Sequence, residues 1–295
     1  MRRRFLLVAG AVVAGVVLGF SLSVLQAGGW EGWLARRGIV PGYADLGRAV
    51  PALEGRRVYL DCRGSGSPTV VLEAGMGSDA RSWGSVFPAL ARDTRTCAYS
   101  RANRWGSDPR DTHTVVEAVA DLRAALTAAG ERPPFVLVGH SLGVVYVRVF
   151  AGQHPDSVGG VVLVDPFGPD RFRRLIARAS PDLARAWQAD LDRNIAAVQA
   201  TERLDWPASE AELRAVNLGD LPVEAVIVPQ PFDVDPGIPD AERAGLAQEW
   251  RDGIEAISGR VRLTLAPGSS HMIQWDRPDL VVAAVGRLVE TVRGQ

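Results

Sequence analysis

The chain has 295 residues, of which 47% are hydrophobic and 23% are charged, and its formal net charge is −1. This balance excludes an intrinsically disordered or low-complexity chain, and it lacks the strong positive charge typical of nucleic-acid-binding proteins. A chain of this length buries enough apolar surface to fold without a disulfide scaffold. We therefore expect a globular protein with no nucleic-acid partner.

The first 28 residues have the composition of a membrane anchor or an export signal. Three arginines at positions 2–4 precede an uncharged stretch at 5–25, which as a helix spans about 31 Å, close to the ~30 Å apolar core of a bilayer. The sequence Leu-Gln-Ala at 25–27 is a poor match to a cleavage site. An uncleaved anchor is the first interpretation and a cleaved, twin-arginine-like signal the second. Both place the rest of the chain outside the cytoplasm, and a cytoplasmic protein is the third possibility.

Residues 29–54 show no hydrophobic period and are predicted to be a linker that leads into the first strands. Beyond them, short apolar runs alternate with helix-like segments, which is typical of a parallel sheet covered by helices. The predicted strands are Arg57–Cys62, Thr69–Glu73, Thr96–Ser100, Phe135–Val138, Val161–Val164, Ala225–Val228 and Val261–Leu265. The predicted helices are Val115–Ala129, Val144–Gln153, Ala241–Ile257 and Leu280–Val292. We expect one α/β domain at 55–295, with a mostly parallel central sheet flanked by helices.

One long segment interrupts this alternation. From Phe167 to Leu221 the sequence is helix-like and contains no predicted strand. It follows the strand that ends at Asp165, and ligands of open α/β sheets bind beyond the carboxyl ends of the strands. We therefore predict a helical lid at about 167–221. Six of its apolar residues are candidates for lining a binding pocket or for packing on the sheet: Phe167, Phe172, Leu175, Ile176, Trp187 and Ile195.

A candidate nucleophile lies where a predicted strand meets a predicted helix. The segment Gly139-His140-Ser141-Leu142-Gly143 matches the pattern G-x-S-x-G at this junction. A sharp turn there lifts the central hydroxyl above the sheet. The glycines are needed because a Cβ at either position would collide with neighbouring backbone. The helix that follows directs its N–H groups and positive dipole end towards a developing oxyanion.

Four short segments together resemble the α/β-hydrolase superfamily. They are Leu-Glu-Ala-Gly-Met-Gly at 72–77, Tyr-Ser-Arg-Ala at 99–102, the 139–143 pattern, and Val-Leu-Val-Asp-Pro at 162–166. Over about residues 55–292 the chain is similar to bacterial esterase- and lipase-like members. The resemblance implies a serine hydrolase without cofactor or metal that cleaves a carboxylic ester of a small molecule. The apolar residues of the predicted lid favour an apolar acyl group in that ester. Dehalogenases and epoxide hydrolases of this superfamily use an aspartate nucleophile, and Ser141 argues against both.

The resemblance also implies the groups that assist Ser141. The base of this superfamily stands on the loop between the last strand and the final helix, where this chain has His271. The acid that orients the base is either Asp165, which we favour, or one of Asp233 and Asp235 after the strand that follows the lid.

Three further histidines are predicted to serve other roles. His140 lies too close in sequence to turn onto Ser141 and is predicted to pack or to form a hydrogen bond. His113 is expected to be solvated in a loop, and His154 is expected to end the helix that follows the candidate nucleophile.

Resemblance places the two N–H donors of an oxyanion hole at Leu142 and Met76. The segment around Met76 departs from many relatives, which carry His-Gly where this chain has Glu73-Ala74-Gly75. The donors are backbone groups and survive this change. Glu73 is expected either to alter substrate preference or to form a structural pair with Arg101.

The two cysteines are Cys62 and Cys97, each in a predicted strand. The strands that hold these places in the resembled fold are neighbours, so a disulfide is predicted, and it would persist outside the cytoplasm. No cysteine or histidine spacing predicts a metal site.

Two other functions stay open. The first is an aminopeptidase or amidase of the same fold, in which a lid carboxylate such as Glu202 binds the substrate amine. The second is a non-catalytic hydrolase-like binding protein. The complete set of serine, histidine and acid favours an enzyme, and the sequence leaves the oligomeric state undetermined.

Overall fold

A computed structural model of the protein describes residues 47–229 and 238–295. Its strands, in chain order, are β1 (Arg48–Pro51), β2 (Arg57–Arg63), β3 (Thr69–Glu73), β4 (Thr96–Ser100), β5 (Phe135–His140), β6 (Val158–Val164), β7 (Val223–Ile227) and β8 (Val261–Leu265). Its α-helices are α1 (Phe87–Asp93), α2 (Val115–Ala128), α3 (Gly143–Gln153), α4 (Pro169–Arg178), α5 (Pro181–Glu202), α6 (Trp206–Arg214), α7 (Asp240–Glu255), α8 (Ile273–Asp276) and α9 (Pro278–Arg293). Short 3-10 helices occur at Leu53–Gly55, Ala80–Trp83 and Pro155–Ser157.

The strands form one sheet in the order β1-β2-β4-β3-β5-β6-β7-β8. The β1–β2 and β2–β4 pairs are antiparallel, and the pairs from β4 to β8 are parallel. The predicted α/β class with a mostly parallel sheet is therefore confirmed. The carboxyl ends of the parallel strands meet at one edge, which is where open sheets of this kind bind ligands.

The central strands are apolar on both faces because helices cover both. In β5, Leu137 joins one apolar layer, whereas Val136 and Val138 join the other, as expected for side chains that alternate along a strand. Helices α2 and α3 cover the first face, and α1 and α9 cover the second. Burying one aliphatic side chain contributes ~1.5–3 kcal/mol, so the two layers hold the strand ends firmly beneath the site.

Helices α4, α5 and α6 lie between β6 and β7, in the segment predicted to be a lid. We call residues 167–221 the helical insert. Leu175 of α4 and Leu191 of α5 are fully buried, and the rings of Phe167 and Trp206 lie 6.0 Å apart between centroids. The insert is therefore packed onto the domain through an apolar inner side, directly after the carboxyl end of β6.

Three elements were not predicted from the sequence, namely β1, α1 and the four-residue helix α8. Residues 48–51, within the predicted linker, form the edge strand β1. Only Val50 of this strand is buried, so the sequence contains no apolar run that predicts it. Helix α1 was also not predicted, since it is short and contains Pro88. The predicted anchor at 1–28 and the linker up to residue 46 lie outside the described residues. Across 47–229 and 238–295, no helix is both long and apolar enough to span a bilayer.

Cys62 of β2 and Cys97 of β4 form a disulfide, which confirms the predicted pair. The two residues are directly opposite in the antiparallel register of these strands, and their Cα atoms are 4.0 Å apart. Cys97 is the second residue of β4. The disulfide thus lies near the amino end of β4, at the sheet edge opposite to the carboxyl ends of the parallel strands.

Candidate active site

Ser141 occupies a sharp turn between β5 and α3, and its φ angle is +50°. Its backbone N–H donates to the carbonyl of Val164 at 3.0 Å, which fastens the turn to β6. A Cβ on Gly139 would lie 2.8 Å from the Gly143 backbone, and one on Gly143 would lie 2.4 Å from the Glu73 carbonyl oxygen. Both glycines are therefore required for the close approach of three backbone segments, which supports the strained turn at Ser141.

Asp165 follows β6 and also has a positive φ angle, +38°. Its N–H donates to the carbonyl of Val226 at 2.8 Å, and its Oδ1 accepts the N–H of Val228 at 3.3 Å. Its Oδ2 lies 2.6 Å from Nδ1 of His271, which stands on the loop between β8 and α8. In a neutral imidazole this contact keeps the proton on Nδ1 and leaves the lone pair of Nε2 available.

The structure thus brings His271 and Asp165 into contact, and it places Ser141 beside them in the wall of one cavity. The alternative acids Asp233 and Asp235 lie outside the described residues. The Asp165 side chain is 6% exposed, whereas 53% of the His271 side chain is exposed. The ring is therefore held from its buried Nδ1 side and faces the open part of the site.

His140 holds the loop of His271 from the inside. Its Nε2 lies 2.9 Å from the His271 carbonyl oxygen, and the two rings are 4.8 Å apart between centroids. Burial, followed by the charge of His271, lowers the pKa of His140 to about 3. The ring is therefore neutral at ordinary pH and donates its Nε2 proton to that carbonyl. This contact confirms the prediction that His140 packs or forms a hydrogen bond.

Met76 lies in a tight turn after β3. The Gly75 carbonyl accepts the N–H of Ser78 at 3.2 Å, and Gly77 has a φ angle of +69°. This is the pattern of a type II turn, which requires glycine at its third position. Within the described residues, no acceptor pairs with the backbone N–H of Met76 or of Leu142.

A buried ion cluster lies under this turn. It consists of Glu73, Arg101 and Glu202, each at most 2% exposed. Nη1 of Arg101 donates to Glu73 at 2.5 Å, while Nη2 and Nε donate to Glu202 at 2.9 and 3.2 Å. The Arg101 guanidinium also lies 4.7 Å from the centre of the Tyr146 ring, within the range of a cation–π contact. Removing one partner from such a buried group destabilises a protein by ~3–5 kcal/mol.

The two carboxylates of this cluster respond differently to burial. Burial raises the pKa of Glu73 to about 7, against the opposing effect of Arg101. Burial also acts to raise the pKa of Glu202, but the charge and hydrogen bonds of Arg101, the hydrogen bond from Gly77 and the charge of Arg104 together outweigh it, so that the pKa is below its usual value. Glu202 is therefore the carboxylate that stays ionised beside Arg101. The pairing of Glu73 with Arg101 is one of the two alternatives expected from the sequence.

A cavity of about 380 Å³ opens at the carboxyl edge of the sheet, beneath the insert. Ser141, Asp165 and His271 share its wall with Asn194 and Ser269. The larger apolar side chains of the wall are those of Met76, Leu142, Phe167, Phe172, Val198 and Trp250. The site therefore combines a few polar groups with a mostly apolar surface, as small-molecule sites do.

The sequence of the chain was also compared with models of known protein families. The Alpha/beta hydrolase family matches residues 70–284, more than half of the chain. The chain belongs to the alpha/beta hydrolase family. The resemblance to the α/β-hydrolase superfamily that the sequence motifs indicated is thereby confirmed.

The relatives of this hydrolase are distant. Uncharacterized protein YqjL of Bacillus subtilis (strain 168) is 25% identical over 236 residues, which cover 76% of this chain and 84% of YqjL. Two other curated relatives are longer, and the chain spans 19% and 26% of their lengths. The haloalkane dehalogenase DatA from Agrobacterium tumefaciens C58 has a TM-score of 0.58 at 18% identity, over 83% of this chain and 96% of DatA. A thermophilic esterase from Thermogutta terrifontis has a TM-score of 0.52 at 16% identity, over 84% and 98% of the respective chains. These two structures share the fold.

Of the six apolar insert residues considered for the pocket of the hydrolase, two line the cavity, Phe167 and Phe172. Leu175 and Trp187 are buried in the core, and Ile176 and Ile195 pack against it. The other four therefore serve the alternative that the sequence allowed, packing of the insert onto the domain.

The remaining histidines of the hydrolase lie outside this cavity. His154 ends α3, as predicted. The prediction for His113 is wrong, because this residue is 4% exposed, and its Nδ1 lies 2.9 Å from the Asp111 carbonyl oxygen. A bridge between His113 and Leu204 explains the burial, since the insert covers the loop.

The sequence left open that Glu202 anchors a substrate amine, and the structure contradicts this. Both of its oxygens are engaged by Arg101, and Oε1 also accepts the N–H of Gly77 at 2.7 Å. At 1% exposure no ligand reaches it. No local sequence pattern predicts this role, because the partner Arg101 stands 101 residues away in the chain.

In the described ranges of the hydrolase, one group of side chains has the spacing of metal ligands: Cys62, Cys97 and Glu131. The two sulfurs are bonded to each other, so neither is available as the thiolate that binds a metal. Glu131 is paired with Arg95 at 2.5 Å. The arrangement therefore does not fit a metal centre.

Proposed function

We propose that this hydrolase is a serine esterase that cleaves small carboxylic esters through an acyl-Ser141 intermediate. The observation that carries the proposal is the 2.6 Å contact between Asp165 and His271 in the wall of the cavity that contains Ser141. A nucleophile at a strained turn, a base whose second ring nitrogen has no partner among the described residues, and a buried acid behind that base are the parts of an acyl-transfer site.

In the proposed reaction the Ser141 hydroxyl attacks the ester carbonyl while Nε2 of His271 accepts its proton. The carbonyl π electrons move to oxygen, and the backbone N–H groups of Leu142 and Met76 stabilise this oxyanion. Collapse of the tetrahedral intermediate breaks the bond to the alcohol, which takes the proton from His271. Water then attacks the acyl group by the same path, releasing the acid and restoring Ser141. Asp165 stabilises the imidazolium in both halves.

The apolar side chains that line the cavity favour an apolar acyl group. Phe167, Phe172 and Val198 from the insert contribute to its wall, and these side chains offer burial to a hydrocarbon chain but no charge to a polar one. The insert therefore acts as a lid over the acyl group in this proposal.

The two alternatives have less support. An amidase that anchors a substrate amine on Glu202 loses its anchor, because that carboxylate is enclosed in the ion cluster. A non-catalytic binding protein has no need for the Asp165–His271 contact or for the strained backbone at residues 141 and 165, since such strain is retained where it serves a site.

The disulfide supports a location outside the cytoplasm, where such bonds persist. The arginines and the apolar stretch at positions 2–25 point the same way. We therefore propose that the domain acts outside the cytoplasm, either anchored to a membrane or secreted.

The test combines labelling with turnover. Wild type and Ser141→Ala are treated with a fluorophosphonate probe and assayed with p-nitrophenyl esters of increasing acyl length. Wild type should be labelled and should turn over esters, whereas Ser141→Ala should lose both, with activity lower by at least ~10⁴-fold. A folded wild type that neither labels nor hydrolyses any ester would contradict the proposal and favour the binding protein. Activity on p-nitroanilides alone would favour the amidase.

A further inference from the structure

The ion cluster of Glu73, Arg101 and Glu202 holds both peptide groups that flank Met76. Nη2 of Arg101 donates to the Gly75 carbonyl at 2.9 Å, and the Gly77 N–H donates to Glu202 at 2.7 Å. Arg101 also binds the Ala74 carbonyl through Nη1 at 2.7 Å. The backbone on either side of Met76 is thus fixed by side chains from outside its own turn.

The Gly75 carbonyl and the Met76 N–H belong to the same peptide group. Because a trans peptide is planar, its carbonyl and N–H point in opposite directions. Arg101 pulls the carbonyl towards the buried cluster, so the Met76 N–H is directed away from it, while Met76 itself lines the cavity with Ser141. Rotation of this peptide would turn its carbonyl oxygen towards the cavity and remove the donor.

Two hydrogen bonds to the Gly75 carbonyl oxygen together orient this peptide. The turn supplies one, from the Ser78 N–H to the Gly75 carbonyl, at 3.2 Å. Arg101 supplies the other, which is shorter and charge-assisted, and charge-assisted hydrogen bonds are the stronger kind. Glu202 strengthens it by holding Nη2 and Nε of the same guanidinium in place.

Glu202 differs from the other members of the cluster in its origin. Glu73 is the last residue of β3 and Arg101 follows β4, whereas Glu202 is the last residue of α5 in the helical insert. It reaches the turn across 125 residues of sequence and is the only member of the cluster that bonds both Arg101 and the turn's Gly77. The insert is thereby bonded directly to the turn that carries Met76.

We propose that Glu202 is a positioning residue for the oxyanion hole, an inference that rests on the proposed esterase function. Through Arg101 and Gly77 it fixes the Gly75–Met76 peptide with its N–H towards the developing oxyanion. The helical insert consequently contributes to transition-state stabilisation as well as to the acyl pocket.

The test is the variant Glu202→Gln, with Glu210→Gln as its matched control. Glu210 is a buried carboxylate of the same insert that pairs with Arg173 and Arg214 and makes no contact with the turn in the described structure. Both variants are assayed for kcat and KM with p-nitrophenyl acetate and for inhibition by butylboronic acid, which forms a tetrahedral adduct with the serine. A thermal melt establishes the temperature range in which each is folded.

We expect Glu202→Gln to lower kcat by ~10- to 100-fold. This fall is no larger than the ~100- to 1,000-fold fall in kcat that follows the complete removal of one oxyanion-hole donor. KM should stay within about twofold, and the inhibition constant of butylboronic acid should rise by a similar factor to the fall in kcat, because only tetrahedral species use the hole. Glu210→Gln should change each quantity by less than about twofold relative to wild type.

A lowered melting temperature with kcat and boronate affinity like those of Glu210→Gln would assign Glu202 a purely structural role and overturn the inference. Glu202→Asp guards against misfolding, because it keeps the charge beside Arg101 but withdraws the carboxylate from Gly77. Like Glu202→Gln, Glu202→Asp should lower kcat and leave KM nearly unchanged. A wild-type kcat in Glu202→Asp would also overturn the inference. The failure of the proposed function looks different, because in that case the wild type itself would be inactive. The role of Glu202 is judged only from the differences between the variants and an active wild type.

Discussion

Oδ2 of Asp165 lies 2.6 Å from Nδ1 of His271, although 106 residues separate them in the chain. The contact forms because β6 and β8 lie on either side of β7 in a parallel sheet, so that the loops after them meet at one edge. Asp165 is further held by the N–H of Val228 from the end of β7. Three consecutive strands in the sheet therefore fix one acid–base pair.

This pair gives the first prediction. Asp165→Asn keeps the size of the side chain but removes the charge that stabilises the imidazolium, so kcat for p-nitrophenyl esters should fall by ~10³- to 10⁴-fold. The control is Asp233→Asn, which should leave kcat within about twofold of wild type. If the losses are reversed between the two variants, Asp233 is the acid and the contact seen at Asp165 serves only the fold.

Most of the sheet follows from the sequence because its central strands are buried on both faces. The predicted bounds of Thr69–Glu73 and Thr96–Ser100 agree with β3 and β4, in which all five residues are buried, since short, largely apolar runs mark buried strands. The bounds of Val261–Leu265 also agree with β8, although this edge strand is only partly buried. The edge strand β1 carries no such run, because a strand with one buried residue does not need one.

The candidate site was predictable where it depends on local backbone. The turn at Ser141 needs glycines at positions 139 and 143. The five consecutive residues 139–143 therefore suffice to predict it. By contrast, the burial of His113 and the role of Glu202 depend on where the insert packs, and their partners are distant in sequence. No local pattern encodes such contacts, so the sequence predicted a solvated His113 and left open a substrate-amine anchor at Glu202.

The disulfide gives a second prediction, which separates stability from activity. The bond between Cys62 and Cys97 spans 35 residues, and a loop of this size constrains the unfolded chain enough to contribute about 3–4 kcal/mol. The double variant Cys62→Ser/Cys97→Ser should lose roughly that much free energy of unfolding in urea titrations. Its kcat should stay within about twofold of wild type, because the disulfide lies near the amino end of β4, away from the cavity. A large loss of kcat in folded protein would contradict this separation.

A third prediction concerns the acyl pocket. Phe172→Ala removes an aromatic wall of the cavity, so kcat/KM for p-nitrophenyl hexanoate should fall about tenfold through lost apolar contact. The acetate ester is too short to rely on that wall, and its kcat/KM should change by less than about twofold. Equal losses for both esters would show that Phe172 supports the insert and does not contact the acyl chain.

The last prediction uses the buried ring of His140. Burial lowers the pKa of this histidine to about 3 in the folded protein, against about 6.5 in an unfolded chain. Between these two values the unfolded chain binds a proton that the folded protein does not, so acid favours unfolding. The contribution of His140 to stability is therefore complete above about pH 6.5 and is lost as the pH falls towards 3.

His140→Gln isolates this contribution, because glutamine also carries an N–H donor for the His271 carbonyl but does not titrate. The free energy of unfolding is measured by urea titration for both proteins across the acidic range. The difference, wild type minus variant, should increase by about 1.4 kcal/mol per pH unit between pH 4 and pH 6 and should level off above pH 7. Parallel curves for the two proteins would mean that the ring takes up a proton in the folded state. In that case His140 would not be the neutral donor that holds the loop of His271.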